Sequence, residues 1–418
     1  MKEGFSLSFK STVGDVFSSL KHRDFRYFLS GQLLSLMGTM IQNTALSWYV
    51  YKITNSPFLL GLISVFQYAP VFLITLIAGV IAERYPKRKI ILITQFSYMI
   101  QSFILTFVVY VGYSKYWILA ILSVINGIIT SLDMPTRQSF FIELVGKKDL
   151  PNAISLNSTV FNISRIVGPA FAGIIMNKVG VFQCFLINTI SFIPVIYGVF
   201  QIKAKGNPTL KSKNFSLIQD LKGGIIYTIN KKILLSVMFM MAIVCTFAFN
   251  SNVIIPVFAK QVMNGGAKEY SLLLSLSGAG SFLGAIFMAG IGRGLRSKHF
   301  LIINSFILAI LQIVTLFTSS YLLVGMLFVC VGFFGLTFLN RANATLQFNT
   351  EDEYRGRVMS IYALLNIGST PFGSAFVGVV MEKFGGKFGF FSCGLIMLLF
   401  TLITVFFVEL KNRNFKYN

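Results

Sequence analysis

The chain has 418 residues, of which 55% are hydrophobic and only 12% are charged. A soluble globular domain carries about a quarter charged residues, so this composition argues against a soluble enzyme, a fibrous protein and a disordered protein. The net charge of +22 would suit nucleic-acid binding on a soluble domain, but here the Lys and Arg residues lie in loops between long apolar runs. We therefore predict an all-α integral membrane protein with no nucleic-acid partner.

The apolar runs predict twelve transmembrane helices, each long enough to cross about 30 Å of hydrocarbon. In chain order they cover about residues 26–51, 57–82, 90–112, 116–138, 153–176, 181–202, 233–259, 270–292, 300–318, 321–345, 356–381 and 388–409. The long polar stretch 203–232 divides them into an N-terminal six-helix half, 1–202, and a C-terminal six-helix half, 233–418.

The stretch 203–232 has its own periodicity. Apolar residues recur there at every fourth position, which predicts an amphipathic helix lying on the membrane surface. These residues are Leu217, Leu221, Ile225 and Ile229. The alternative is a solvated linker.

The distribution of basic residues predicts the orientation. With both termini in the cytoplasm, the cytoplasmic loops and tails carry roughly four times as many Lys and Arg residues as the outer loops. The expected location is therefore the plasma membrane, with multiple spans and both termini inside.

Internal repetition supports two pseudo-symmetric halves. The segment GIIMNKVG at 173–180 is echoed by GVVMEKFG at 378–385. Parallel repeats of this kind, related by an axis normal to the membrane, are typical of one large transporter architecture.

The motifs of several enzyme classes are missing from the sequence. It contains no HExxH or Cys/His metal cluster and no GxxxxGK[ST] phosphate-binding loop, and its four Cys residues lie inside apolar runs. We therefore expect no enzyme activity, no metal and no cofactor.

The loop after the second predicted helix carries a recognisable signature. It runs from Gly79 through Glu83 and Arg84 to Arg88, and it resembles the Gly-x-x-x-Asp-x-x-Gly-x-Arg signature of the major facilitator superfamily. The resemblance implies that Glu83 caps a helix N-terminus across the bundle and pairs with Arg88, holding the cytoplasmic side closed in the outward-open state. The alternative role for this cluster is a positive-inside anchor only.

The fifth predicted helix contains Gly168 and Pro169, which resemble the Gly-Pro signature of the superfamily's antiporters. Small residues allow close helix approach, and Pro bends the helix. Further stretches at 31–57, 133–138, 149–153 and 355–359 resemble the branch that includes the enterobactin exporter and macrolide efflux proteins. This resemblance implies an exporter.

One signature position departs from the superfamily. Ser123 stands where the fourth helix of its antiporters has an Arg associated with proton coupling. No acid is predicted at the middle of a span, so Asp133 and Glu83 are the candidate proton-coupling residues. The alternative for Asp133 is an interfacial cap or a pair with Arg137.

Arg165 is the basic residue predicted at the middle of a span, about 18 Å into its helix. A charge at that depth is costly unless it is solvated or paired, so we expect it to face a central cavity. Its role is either to bind substrate or to clamp backbone carbonyls between helices. The other candidate substrate-binding residues are amides within the spans: Gln42, Asn43, Gln67, Asn126, Asn162, Asn250 and Asn366.

These features predict a monomeric secondary transporter that exports a lipophilic or amphipathic small molecule, such as a drug, a macrolide or a siderophore-like compound. Protons or another ion are candidate coupling partners, and membrane lipid surrounds the protein. One alternative is a transporter of a lysophospholipid or another lipid. An alternative of a different class is a membrane sensor or enzyme without transport.

Overall fold

The computed structural model describes residues 17–206, 217–290 and 299–413, and it describes the backbone alone at residues 76, 80, 83, 217–222, 352, 353 and 407–413. We call residues 17–206 segment I and the described residues from 217 onward segment II. Within these ranges the regular structure is helical. The α-helices are α1 (Arg23–Thr54), α2 (Pro57–Arg84), α3 (Lys87–Tyr110), α4 (Tyr116–Lys178), α5 (Val181–Gln201), α6 (Leu217–Asn230), α7 (Lys232–Ala248), α8 (Ser251–Gln261), α9 (Ala267–Gly290), α10 (His299–Val314), α11 (Tyr321–Phe348), α12 (Asp352–Gly368), α13 (Thr370–Phe384) and α14 (Lys387–Arg413).

Ten segments of the described residues are long and apolar enough to cross a membrane. One of them, α4, has 63 residues and is interrupted at Gly146, whose φ of 73° lies in the left-handed region that favours glycine. Each side of that break is long enough for one crossing. The helix α1 is also long, with 32 residues, but its polar residues keep it out of this set.

Two predicted spans are interrupted helices. The predicted helix 233–259 is α7 followed by α8, with a break at Phe249 and Asn250. The predicted helix 356–381 is α12 followed by α13, with Ser369 between them. Pro371 lies at the start of α13, where its missing N–H and its ring disfavour a continuous helix.

The surface of the molecule is apolar, as a bilayer requires. Large side chains such as Leu73, Trp117 and Phe317 are exposed, while the buried residues include polar ones such as Gln95 and Thr337. The main apolar core joins both segments, and each segment has a smaller core of its own.

The most extensive contacts between the two segments are those of α2 with α13 and of α4 with α9. Small residues allow the backbones to approach. A Cβ added at Gly61 in α2 would lie 2.5 Å from the Ser374 carbonyl oxygen in α13, and one added at Gly278 in α9 would lie 2.8 Å from the Arg165 carbonyl oxygen in α4. These glycines are therefore required for the observed contact.

The helix predicted in the polar stretch is α6. It packs on α12 of segment II, where the Tyr227 ring stacks on Tyr354 with centroids 4.1 Å apart. Ile225 and Ile229, on the predicted apolar face, are exposed, and the side chains of Leu217 and Leu221 lie outside the description. Attachment of this face to the membrane surface stays a prediction.

Candidate substrate cavity and gate

A cavity of about 390 Å³ lies between the two segments. The helices α2 and α4 line it from segment I, and the α7–α8 break, α11, α12 and α13 line it from segment II. Its polar lining residues are Ser64, Tyr68, Arg165, Asn250, Asn252, Asn340, Tyr362, Asn366, Thr370 and Ser374, and its apolar ones are Phe161, Phe249, Val253, Leu336, Leu339 and Ile367. This mixture of apolar surface and a few polar groups is typical of a small-molecule site.

Arg165 is the charged residue among the described lining residues of this cavity. Its backbone is fixed by the contact between α4 and Gly278 of α9, and its side chain extends into the cavity beside Tyr68. Its guanidinium group donates no hydrogen bond to a described residue and forms no ion pair with one. The structure thus places Arg165 in the cavity, and no backbone carbonyl of the described residues is clamped by it.

Two of the predicted amides also line the cavity. Asn250, at the α7–α8 break, donates a hydrogen bond to the Thr246 carbonyl oxygen at 2.6 Å and accepts one from Ser374 at 3.3 Å. This explains the break, because the Asn250 side chain takes a carbonyl of the last turn of α7. Asn366 lies in the wall formed by α12, where Cys245 makes a weak contact to it.

Four other predicted amides lie inside segment I. Gln42 is buried, and its side-chain oxygen accepts hydrogen bonds from Ser102 at 2.7 Å and Asn188 at 2.9 Å. Gln42, Asn43, Gln67 and Asn126 border a void of about 10 Å³, which holds at most one water molecule. In the described state Gln42 is bonded to other helices of segment I, and Gln67 donates to Asn126 at 3.3 Å. Asn162 donates to the Ser158 carbonyl oxygen in its own helix and is not among the lining residues of the cavity.

The cavity is closed at the end of the molecule that carries Asn55, which we call the Asn55 end. There, the Glu382 carboxylate of segment II accepts hydrogen bonds from the Ser56 hydroxyl at 2.8 Å and from the Phe58 N–H at 3.1 Å in segment I. Lys260 donates to the Asn55 side chain at 2.6 Å. Below them, the rings of Trp48 and Tyr270 stack with centroids 5.9 Å apart.

The opposite end carries Arg23, and we call it the Arg23 end. Along α2 the contacts with segment II run from Pro57 to Phe72, whereas a Cβ added at Gly79 would meet nothing within 4 Å. Asn340 of the cavity is exposed. The cavity is therefore closed at the Asn55 end and more open to solvent at the Arg23 end.

The signature residues of the loop after α2 lie at the Arg23 end. Arg88 donates to the carbonyl oxygens of Val199 at 3.0 Å and Phe200 at 2.7 Å, at the end of α5, where the helix dipole favours a positive charge. Arg84 is exposed. The Glu83 side chain lies outside the description, so its predicted pairing with Arg88 stays a prediction.

Asp133 belongs to a buried network in segment I. Its carboxylate accepts hydrogen bonds from Thr94 at 2.6 Å, Gln95 at 3.0 Å and Arg137 at 2.5 Å. Arg137 also donates to Gln32 at 2.8 Å. The Arg137 pair, which was the alternative to proton coupling, is thus present.

Gly168 and Pro169 are buried in α4. A Cβ added at Gly168 would lie 2.5 Å from Met40 Cβ in α1, so the glycine allows these helices to pack closely within segment I. Five residues further, a Cβ added at Gly173 would lie 2.6 Å from the Ser271 Cβ in segment II. The Gly-Pro region therefore lies next to the contact between segments.

Ion pairs at the Arg23 end each join residues of one segment. Lys87 pairs with Glu143 at 2.6 Å in segment I, and Lys231 pairs with Glu351 at 2.6 Å in segment II. The hydrogen bond from Lys231 lowers the pKa of Glu351, and the same bond raises the pKa of Lys231. None of these pairs holds the two segments together.

A family model described as transmembrane secretion effector matches residues 15–416. The chain belongs to this family of the major facilitator superfamily. The predicted resemblance to that superfamily is thereby confirmed, and the protein is a multi-pass membrane transporter.

Relatives of the transporter occur in bacteria. It is 24% identical over 393 residues to the staphyloferrin A transporter of Staphylococcus aureus, with 91% of this chain and 95% of the relative covered. It is 21% identical over 397 residues to macrolide efflux protein A of Streptococcus pyogenes, with 93% and 96% covered.

Among solved structures, the transporter resembles a bacterial homologue of the human lysosomal transporter Spinster in an inward-facing, unoccupied conformation. The TM-score is 0.72 at 14% identity, and the match covers 94% of this chain and 98% of that chain. At this identity the likeness shows the fold.

Sequence reasoning missed the residues that close the Asn55 end of the transporter. Glu382, Ser56 and Lys260 lie beside span ends, where charged and hydroxyl residues are common. Gly61 and Gly278 are two of 35 glycines in the chain. A glycine shows its function only when its partner in the other segment is known.

Proposed function

We propose that this transporter exports a lipophilic or amphipathic small molecule by alternating access, using the central cavity as its binding site. The observation that carries the proposal is a cavity of about 390 Å³ between two segments that contact each other at the Asn55 end. In an alternating-access cycle such contacts break at one end of the molecule while new ones form at the other. The names of the relatives, a siderophore transporter and a macrolide efflux protein, support small organic molecules as substrates.

The architecture we propose has twelve spans in two six-helix halves. The break of α4 at Gly146 gives two spans, and α7 with α8, and α12 with α13, give one span each. Counting α1, the helices of segment I and segment II then supply six spans each. The two most extensive contacts between segments, α2 with α13 and α4 with α9, exchange places when the chain is shifted by the 205 residues that separate 173–180 from 378–385.

The orientation we propose places the Arg23 end in the cytoplasm, as the Lys and Arg distribution requires. The described state is then inward-open, ready to take substrate from the cytoplasm. In the opposite state, the loop with Gly79 and Glu83 would approach segment II.

Efflux from cells tests the proposal. Cells that express the chain are loaded with radiolabelled erythromycin, a siderophore or a lysophospholipid, and retention is compared with cells expressing Asn366→Trp, which fills the cavity. Leu402→Trp, on an exposed apolar position, is the matched control. We expect cells with the wild-type chain or Leu402→Trp to lose erythromycin or the siderophore faster than cells with Asn366→Trp. Faster loss of the lysophospholipid alone would favour lipid transport, and equal retention in all three strains would contradict the proposal.

A further inference from the structure

The charge inside the cavity points to the chemistry of the substrate. Arg165 is a permanent cation, because a guanidinium group does not lose its proton in proteins. It lies at the middle of the membrane-spanning region, and it donates no hydrogen bond to a described residue and forms no ion pair with one. A charge at that depth must be solvated or paired. In the open cavity water solvates Arg165, and a bound anion would replace that water when the cavity closes around the substrate.

The acidic side chains that the structure describes are all engaged elsewhere. These are Asp24, Asp133, Glu143, Asp149, Glu269, Glu351 and Glu382. None of them lines the cavity. The described cavity is therefore positive, with no carboxylate that would attract a cationic molecule or exchange a proton with it.

The other polar groups of the wall suit the same ligand. The amides of Asn340 and Asn366 and the hydroxyls of Tyr68 and Tyr362 line the cavity, and each can donate a hydrogen bond to oxygen. A guanidinium group binds a carboxylate through two parallel hydrogen bonds. Phe161 and Leu339 provide apolar surface for the rest of the molecule. An organic molecule with more than one carboxylate fits this wall.

We propose that the cavity selects organic polycarboxylates and that the membrane potential alone drives their export. This rests on the proposed export function. Because no described carboxylate of the cavity can exchange a proton with the substrate, we take the charge moved in each cycle to be the charge of the substrate. The inside-negative potential then expels an anion. A potential of 100 mV supplies about 2.3 kcal/mol per charge, which sustains an outward concentration ratio of about 50-fold per charge. Asp133 and Glu83 have no part in coupling under this inference.

Two dyes with one ring system and opposite charge test the selectivity. 5-Carboxyfluorescein is a polyanion and rhodamine 123 is a cation, and binding to the purified protein is measured by fluorescence polarisation. We expect tighter binding of carboxyfluorescein, weakened about ten- to hundredfold in Arg165→Gln because a charge-assisted bidentate contact is lost. Arg165→Lys keeps the charge without the planar fork and should lose about tenfold. Lys178→Gln, an exposed position on the same helix, is the matched control and should bind like the wild type.

The driving force is tested in proteoliposomes loaded with carboxyfluorescein. A potassium gradient with valinomycin sets the potential, and a separate buffer gradient sets the pH difference. We expect dye release at interior-negative potential to be at least tenfold faster than at interior-positive potential, and unchanged by the pH gradient. If Arg165→Gln fails to fold, the Lys variant and this potential dependence still decide the matter.

Several results would overturn the inference. Equal or tighter binding of rhodamine 123, or binding of neither dye, would reject anion selectivity. A requirement for a proton gradient that Asp133→Asn or Glu83→Gln abolishes would reject the potential as the driving force. Transport of rhodamine 123 would reject anion selectivity but leave the export function standing. Failure of the export function itself would appear as unchanged retention of every compound in the cell assay.

Discussion

Removing the Glu382 side chain should open the transporter at the Asn55 end. In Glu382→Ala the hydrogen bonds from the Ser56 hydroxyl, 2.8 Å away, and from the Phe58 N–H, 3.1 Å away, are lost. Both cross between the segments, so only the closed state of this end loses them. Because the site is exposed, water replaces part of each bond, and the net loss is about 1–2 kcal/mol. That shifts the balance between closed and open states about 5- to 30-fold toward open.

Spin labels measure this shift. A pair at Lys52 and Lys268, both exposed at the Asn55 end and in different segments, should show a new population at longer distance in Glu382→Ala. A pair at Lys89 and Asn349, exposed at the Arg23 end, should shorten in the same proportion of molecules. Glu269→Ala is the control, since Glu269 accepts from Gly266 within segment II. Unchanged distances at Lys52 and Lys268 would refute the assignment of Glu382 as a gate.

Three further predictions concern packing and charge. Gly61→Ala should also populate the open Asn55 end, because its Cβ would lie 2.5 Å from the Ser374 carbonyl oxygen and overpacking costs about 1–3 kcal/mol. Gly356→Ala, whose Cβ would meet nothing within 4 Å, should not. The spin-label pair at Lys52 and Lys268 measures both variants. Asp133→Asn should destabilise the protein by about 3–5 kcal/mol in thermal unfolding, because it breaks a buried ion pair. Potential-driven transport by the surviving protein should continue, and loss of transport at unchanged stability would instead make Asp133 a coupling residue. Because the pKa of Glu351 is lowered in the folded state, its pair with Lys231 stabilises the protein above the ordinary Glu pKa of about 4.3 and loses that effect below it. The melting-temperature difference between wild type and Glu351→Gln should therefore be constant from about pH 6 to 8 and shrink below about pH 4. A difference that grows on acidification would contradict this.

Much of the fold could be predicted from the sequence because the membrane imposes a simple rule on span length and polarity. Most helix boundaries agree within a few residues, as at α3, which begins at Lys87 where 90 was expected. The stretch 139–152, predicted to connect two spans, is instead helical within α4 except at Gly146. The interruptions at Asn250 and Ser369 were not predicted. A hydropathy pattern does not register a local exchange of hydrogen bonds such as that between Asn250 and Thr246.

The site was predictable only in part. The position of Arg165 could be predicted because a charge in the middle of a span is costly in free energy unless it faces water or a partner. The amides have no such constraint, because an amide within a span is satisfied equally well by another helix or by a cavity. Gln42 therefore lies between Ser102 and Asn188, while Asn366 lies in the cavity wall, and nothing in their local sequences separates the two cases.

Accessibility of the cavity tests the alternating-access account most directly. A single cysteine at Asn340, which is exposed in the cavity, is introduced after the four native cysteines are replaced, and a membrane-impermeant thiol reagent is applied to vesicles of either orientation. The account predicts labelling in inside-out vesicles and little in right-side-out vesicles, with the right-side-out signal rising when Glu382→Ala is added. Equal labelling from both sides, or labelling from outside only, would contradict it.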